Sequence, residues 1–239
     1  MKWTVFATLV LTAASAAQAG NWPHWRGPNF NGSTDEKDLP CTWSKTENIA
    51  WSADLPGAAA STPIVWDDRV FLSGVDAARG VLQAMCFDRT GGRLLWSRDV
   101  AKGIRQDARS NYANPSPVTD GKRAIFLYGN GDLVCFDTAG ERRWARNIQQ
   151  DYGPFAFNWT FSSSPLLWDG KLNLQVLQRD VPVAGHGLVD RENQSYLLAV
   201  DPQTGKTLWR SLRPARPAPN RGKPSARQSP TSTRGTRSC

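Results

Sequence analysis

Asp201-Pro202-Gln203-Thr204-Gly205-Lys206-Thr207-Leu208-Trp209 sets an acid, a Thr-Gly pair and a tryptophan at fixed spacing. The same order stands upstream, at Asp88-Arg89-Thr90-Gly91-Gly92-Arg93-Leu94-Leu95-Trp96 and at Asp137-Thr138-Ala139-Gly140-Glu141-Arg142-Arg143-Trp144. Asp201, Thr204, Gly205 and Trp209 carry the full pattern. The copy from Asp88 through Gly92 to Trp96 keeps the length with Thr90 displaced by one, and the copy from Asp137 through Gly140 to Trp144 is one residue shorter. Such a stretch reads as a turn. Its carboxylate accepts nearby backbone N–H groups, and its glycine supplies positive φ. The strand that follows delivers a large flat tryptophan suited to packing between neighbouring sheets.

Each closing turn has a matching opening: Ser61-Thr62-Pro63-Ile64, Pro115-Ser116-Pro117-Val118 and Ser163-Ser164-Pro165-Leu166. The proline stands where a strand begins and a missing N–H matters least. Asp67-Asp68, Asp120-Gly121 and Asp169-Gly170 then mark tight hairpins. Closing tryptophans are 48 and then 65 residues apart, and the longer interval holds an insertion at 178–195. Four short strands per unit of ~40–50 residues imply propeller blades rather than the coils of a β-solenoid. The expected fold is all-β, a partial β-propeller of about three four-stranded blades. Trp51, in Ile49-Ala50-Trp51, closes an earlier unit and adds one closing strand.

The chain of 239 residues carries a formal net charge of +8, which invites a nucleic-acid reading. One basic residue, Lys2, lies in 1–19, and seven lie in 213–239 without an acid. The body between them has 21 basic and 21 acidic residues and is neutral, so nucleic acid is not expected as a partner. Residues 1–19 read as a signal peptide: Lys2, an apolar stretch, and Ala17-Gln18-Ala19 before Gly20. The protein is therefore expected to be exported, periplasmic or extracellular, and no later segment is apolar enough to span a membrane. The expected divisions are 1–19 signal peptide, 20–212 partial propeller and 213–239 a basic tail. The tail is expected to be disordered and out of frame. Codons permitted from Asn220 onward spell Ser-Thr-Pro-Ile in another frame, the string that opens the first unit at Ser61.

The Asp-x-x-Thr-Gly-x-x-x-Trp closure resembles the pyrroloquinoline-quinone-type (PQQ-like) β-propeller repeat. Asn21-Trp22-Pro23-His24-Trp25-Arg26-Gly27-Pro28, Leu39-Pro40, Tyr152-Gly153-Pro154-Phe155-Ala156-Phe157 and Gln178-Arg179-Asp180-Val181-Pro182-Val183 are similar to an exported, planctomycete-type group of such proteins. The resemblance implies a complete ring of about seven or eight blades, so this chain is expected to be truncated. It also implies that the N-terminal strand completes the last blade, which accounts for Trp51. A quinone enzyme of this fold would be expected to hold PQQ over Ca²⁺ with an Asp as base, often beside a vicinal Cys-Cys disulfide.

Little in the sequence points to that chemistry. No Cys-Cys pair occurs; Cys86 and Cys135 stand each just before Phe-Asp and read as small apolar fillers in matching strands. Asp88, Asp137 and Asp201 recur with the repeat and read as turn residues. His24 and His186 lie far apart, with no zinc-site spacing. Ser162–Ser164 lacks the G-x-S-x-G of a nucleophile elbow. Phe157-Asn158-Trp159 is expected to pack between blades. The insertion, with Arg179, Asp180 and His186, supplies the ligand or partner candidates, because loops at a rim carry function. No catalytic, cofactor or metal residue is assigned. The expected function is a non-enzymatic binding or scaffold module for a protein or small ligand, with no cofactor. The alternative is a fragment of a PQQ-dependent dehydrogenase oxidising an alcohol or sugar, with PQQ and Ca²⁺.

Overall fold

The computed structural model describes residues 20–37, 39–105, 107 and 110–213. The expected signal peptide, its cleavage site at Ala19 and almost all of the 213–239 tail lie outside them.

Twelve strands and one short helix form three sheets of four antiparallel strands, each from one continuous stretch of chain. The first sheet runs β1 (Ile64–Trp66), β2 (Arg69–Asp76), β3 (Val81–Asp88), β4 (Leu94–Lys102). The second is β5 (Val118–Thr119), β6 (Arg123–Leu127), β7 (Asp132–Asp137), β8 (Arg142–Asn147). Helix α1 (Ile148–Tyr152), unforeseen in the sequence, follows; Asn147 caps it by accepting from the N–H groups of Gln149 and Gln150. The third sheet is β9 (Leu166–Trp168), β10 (Lys171–Val176), β11 (Ser195–Val200), β12 (Thr207–Arg213).

Sequential order within each sheet makes every sheet one repeat unit, a blade. In the second blade the inner strands are buried on both faces and read as apolar runs, such as Ala124-Ile125-Phe126-Leu127, whereas β10 of the third alternates apolar with polar residues. Odd and even positions serve different neighbours. Ala124 and Phe126 face the first blade, in a core with Phe71, Cys86 and Trp96. Ile125 and Leu127 face the third, in a core with Leu174, Tyr196 and Leu198.

The hairpins differ in detail. Trp66 opposes Arg69 across Asp67-Asp68, and Trp168 opposes Lys171 across Asp169-Gly170, both two-residue turns with positive φ at the first position. At Asp120-Gly121 the first pair is Thr119 with Ala124, so that loop is longer than the sequence suggested. The Asp120 carboxylate fills the extra space by accepting from the N–H groups of Lys122 and Arg123.

The N-terminal segment runs along the first strands of the blades. Trp22 pairs with Val65 on the free edge of β1, exchanging hydrogen bonds of 2.8 and 2.9 Å. Pro23 accepts from Thr119 N–H of the second blade, and Phe30 meets Trp168 of the third edge-on. One short segment thus ties all three blades at their first strands, β1, β5 and β9. Trp51 lies in no strand, yet it docks on the first blade as a closing tryptophan would.

Candidate functional site

The recurring acids hold turns. Asp201 Oδ1 accepts from Gln203 N–H and Oδ2 from the Thr204 hydroxyl, both at 2.8 Å. These two donors hold its carboxyl below the usual range. Asp88 accepts from Gly91 N–H, and Asp137 from the N–H groups of Ala139 and Glu141. Gly92, Gly140 and Gly205 have φ of +69°, +85° and +72°.

Those glycines have a second reason to lack a side chain. A Cβ on Gly92 would lie 2.4 Å from the Trp51 ring, on Gly140 2.8 Å from Trp96, and on Gly205 2.7 Å from Trp144. Trp51, Trp96 and Trp144 therefore each lay the ring against the closing turn of the next blade. Its indole N–H donates to a carbonyl of that turn: Trp51 to Arg89, Trp96 to Thr138, Trp144 to Pro202. Two residues on, Arg98 and Arg146 point the same way and donate to the carbonyls of Gly140 and Gly205. Sequence reading missed these arginines; their i, i+2 spacing from the tryptophan was the available signal. It also missed the opening hydroxyls. Ser116 accepts from Thr62 N–H at 2.8 Å, and Ser164 from Ser116 N–H at 3.0 Å, a staircase from blade to blade.

Cys86 and Cys135 are buried free thiols opposite Trp96 and Trp144; Ala199 holds the same place opposite Trp209. Burial pushes the two thiols up to about 11 and about 12. Among the described residues no three His, Cys, Asp or Glu side chains converge as a metal site would need. His24 is buried and stacked on Phe30, far in the fold from His186.

The sequence-predicted candidates of the insertion lie at one rim. There the connection from blade 1 to blade 2, the connection from blade 2 to blade 3 and the 178–195 insertion meet. Arg105 Nη2 donates to Asn158 O at 3.0 Å, and its Nη1 lies 3.4 Å from His186 Nε2. Gln178 anchors the insertion: its Oε1 accepts from Ala156 N–H and its Nε2 donates to Gln194 O. Beside it, Arg179 N–H donates to Ala156 O. Together they shape a cavity of about 260 Å³ lined by Phe157, Trp159, Leu177, Arg179 and Val183. Arg179 and His186 thus reach this rim. Asp180 contributes its carbonyl, which accepts from Asn193 N–H and stitches the loop. The expectation for Phe157-Asn158-Trp159 needs correction. Phe157 packs on Phe155 and Phe161, but Trp159 is 57 % exposed, because the connection turns outward after Phe157.

The family model described as Outer membrane protein assembly factor BamB (PQQ_2) matches residues 27–154. The chain belongs to this PQQ-like repeat family. Quinohemoprotein alcohol dehydrogenase ADH-IIG of Pseudomonas putida is 26 % identical over 208 residues, covering 82 % of this chain and 26 % of that protein. The chain therefore spans about a quarter of that relative's length. Among solved structures, a europium-containing methanol dehydrogenase matches 69 % of the chain over 27 % of its own, at 14 % identity and TM-score 0.48. BamB from Moraxella catarrhalis matches 67 % over 41 %, at 15 % and 0.42. With the three consecutive four-stranded sheets, membership in the PQQ-like family makes the fold a partial β-propeller. No described helix is long and apolar enough to cross a membrane.

Proposed function

We propose that this PQQ-like propeller chain is an exported, non-enzymatic binding or scaffold module, with residues 20–212 as its working part and residues 1–19 as its export signal. The observation that carries this reading is the use of its acids. Asp88, Asp137 and Asp201 are engaged by backbone or hydroxyl donors of their own turns, which leaves them structural. At the rim an apolar cleft with an exposed tryptophan offers side chains that can meet another molecule. Such a surface suits the binding of a small ligand or an apolar side chain. The partner is a protein or a small ligand outside the cytoplasm, and the family description, an outer membrane assembly factor, is in keeping with a scaffold.

A second reading rests on the identity with a quinohemoprotein alcohol dehydrogenase: a fragment of a PQQ-dependent enzyme that oxidises an alcohol or sugar. PQQ over Ca²⁺ needs converging oxygen donors. The described residues bring no three candidate ligands together, and the sequence has no adjacent cysteines. These residues do not fit the group. The two readings separate when the full chain is mixed with PQQ, Ca²⁺, an alcohol and a redox dye. The module reading expects neither a bound-quinone spectrum nor dye reduction; the appearance of both would overturn it.

A further inference from the structure

We propose that the rim cleft binds a small organic acid, a carboxylate on a compact aromatic or aliphatic body. The inference rests on the reading of the rim as the binding surface, and it adds the chemistry of what binds there.

Shape supplies the body of the ligand. The cavity of about 260 Å³ is walled by Phe157, Leu177, Val183 and the exposed ring of Trp159, an apolar surface that gains by losing water. It is built, not incidental. Gln178 ties its floor to Ala156 and Gln194 with both ends of its amide, and Arg179 N–H returns to Ala156 O.

Charge supplies the head group. Arg179 lines the cavity, and Arg105 stands at its edge, fixed to the carbonyl of Asn158, itself a lining residue. Among the described residues neither guanidinium lies within ion-pair distance of a carboxylate. Arg69, Arg79, Arg123, Arg143 and Arg146 each have such a partner. The acids of the insertion, Asp180, Asp190 and Glu192, pair with neither of the two. His186, whose Nε2 lies 3.4 Å from Arg105 Nη1, brings no negative charge to the site. Two cations outside ion-pair distance of the described carboxylates, beside an apolar cleft, complement a carboxylate, which a planar guanidinium grips through two parallel hydrogen bonds.

Calorimetric titration of the full chain with phenylacetate and hexanoate, against phenylacetamide and hexanamide, tests this. The acids should bind at least about tenfold more tightly than the amides. Arg179→Gln should remove about that factor for the acids and leave the amides unchanged, with unaltered thermal stability because Arg179 is exposed. Trp159→Ala should weaken acid and amide alike. Acid and amide binding equally, or Arg179→Gln leaving the acid unaffected, would overturn the ligand class. Tighter binding of N-acetyl-glycyl-phenylalanine than of phenylacetate would overturn the free acid in favour of a peptide C-terminus. Failure of every probe to bind would sink the inference alone. The non-enzymatic reading stands or falls separately, on the quinone spectrum and dye reduction.

Discussion

His24 shows how much one residue can depend on its surroundings. Its ring is 3 % exposed and stacked on Phe30 at 4.3 Å. Nδ1 accepts from Arg26 N–H, which fixes the neutral tautomer with its proton on Nε2, and Nε2 finds no partner among the described residues. Burial lowers its pKa, since a charged imidazole loses its water there. The sign follows. As pH falls below about 6.5 the unfolded chain takes up the proton first, so stability is complete above that pH and declines below it. Melting temperature should therefore drop between pH 7.5 and 5.5. The drop should shrink in His24→Phe, which keeps the stacking and removes the titrating group. An equal drop in both proteins would refute the assignment. His186, the only other histidine, is exposed and serves as the control position.

At the scale of elements, the closing turn and the preceding blade's outer strand form one device. A turn needs its acid to gather N–H groups and its glycine to bend left-handed. The neighbouring strand needs that glycine bare so that tryptophan can lie on it. Gly205→Ala breaks both requirements. A left-handed backbone costs about 1–2 kcal/mol once a Cβ is present. The clash with Trp144 adds to it, because the ring is held by its bond to Pro202 O. Denaturant titration should show a loss of more than about 1 kcal/mol, whereas Gly170→Ala, with open space around its Cβ, should lose only the backbone part. Equal losses at the two sites would count against the stacking role. Much of this device was legible beforehand. Asp88, Asp137 and Asp201, with their glycines and tryptophans, announce turn and strand by spacing alone. The direction in which Trp96 and Trp144 pack was not legible, since their target lies in the next unit, 42 and 58 residues away.

In the whole molecule the two end blades are unlike. The outer face of the first, with Met85 and Phe87 buried, is covered by the entry segment around Trp51. Across each sheet runs one row of directly opposed residues. In the first blade it is Ile64, Phe71, Cys86, Trp96, and in the second Val118, Ile125, Cys135, Trp144. Both rows lie inside the cores between blades. The third row is Leu166, Asn173, Ala199, Trp209. Trp209 there is 43 % exposed, and Leu197 beside it 48 %. An apolar face of this kind drives association. Sedimentation velocity should show concentration-dependent self-association, reduced by Leu197→Lys. A chain that stays monomeric at high concentration would contradict this.

Features that are local and periodic can be read from the chain alone. Turn chemistry depends on a few consecutive residues, and strands sandwiched on both faces must be apolar throughout, so the blades and their order could be read from spacing. The family likeness rests on the same repeat. Only tertiary structure decided what depends on distant segments meeting. It brought Arg105, Asn158 and Arg179 to one rim, sent Trp159 outward while Phe157 turned in, and laid Trp22 along β1. Those contacts join residues tens of positions apart through loops without periodicity, and such loops leave no pattern in the sequence from which their meeting could be foreseen.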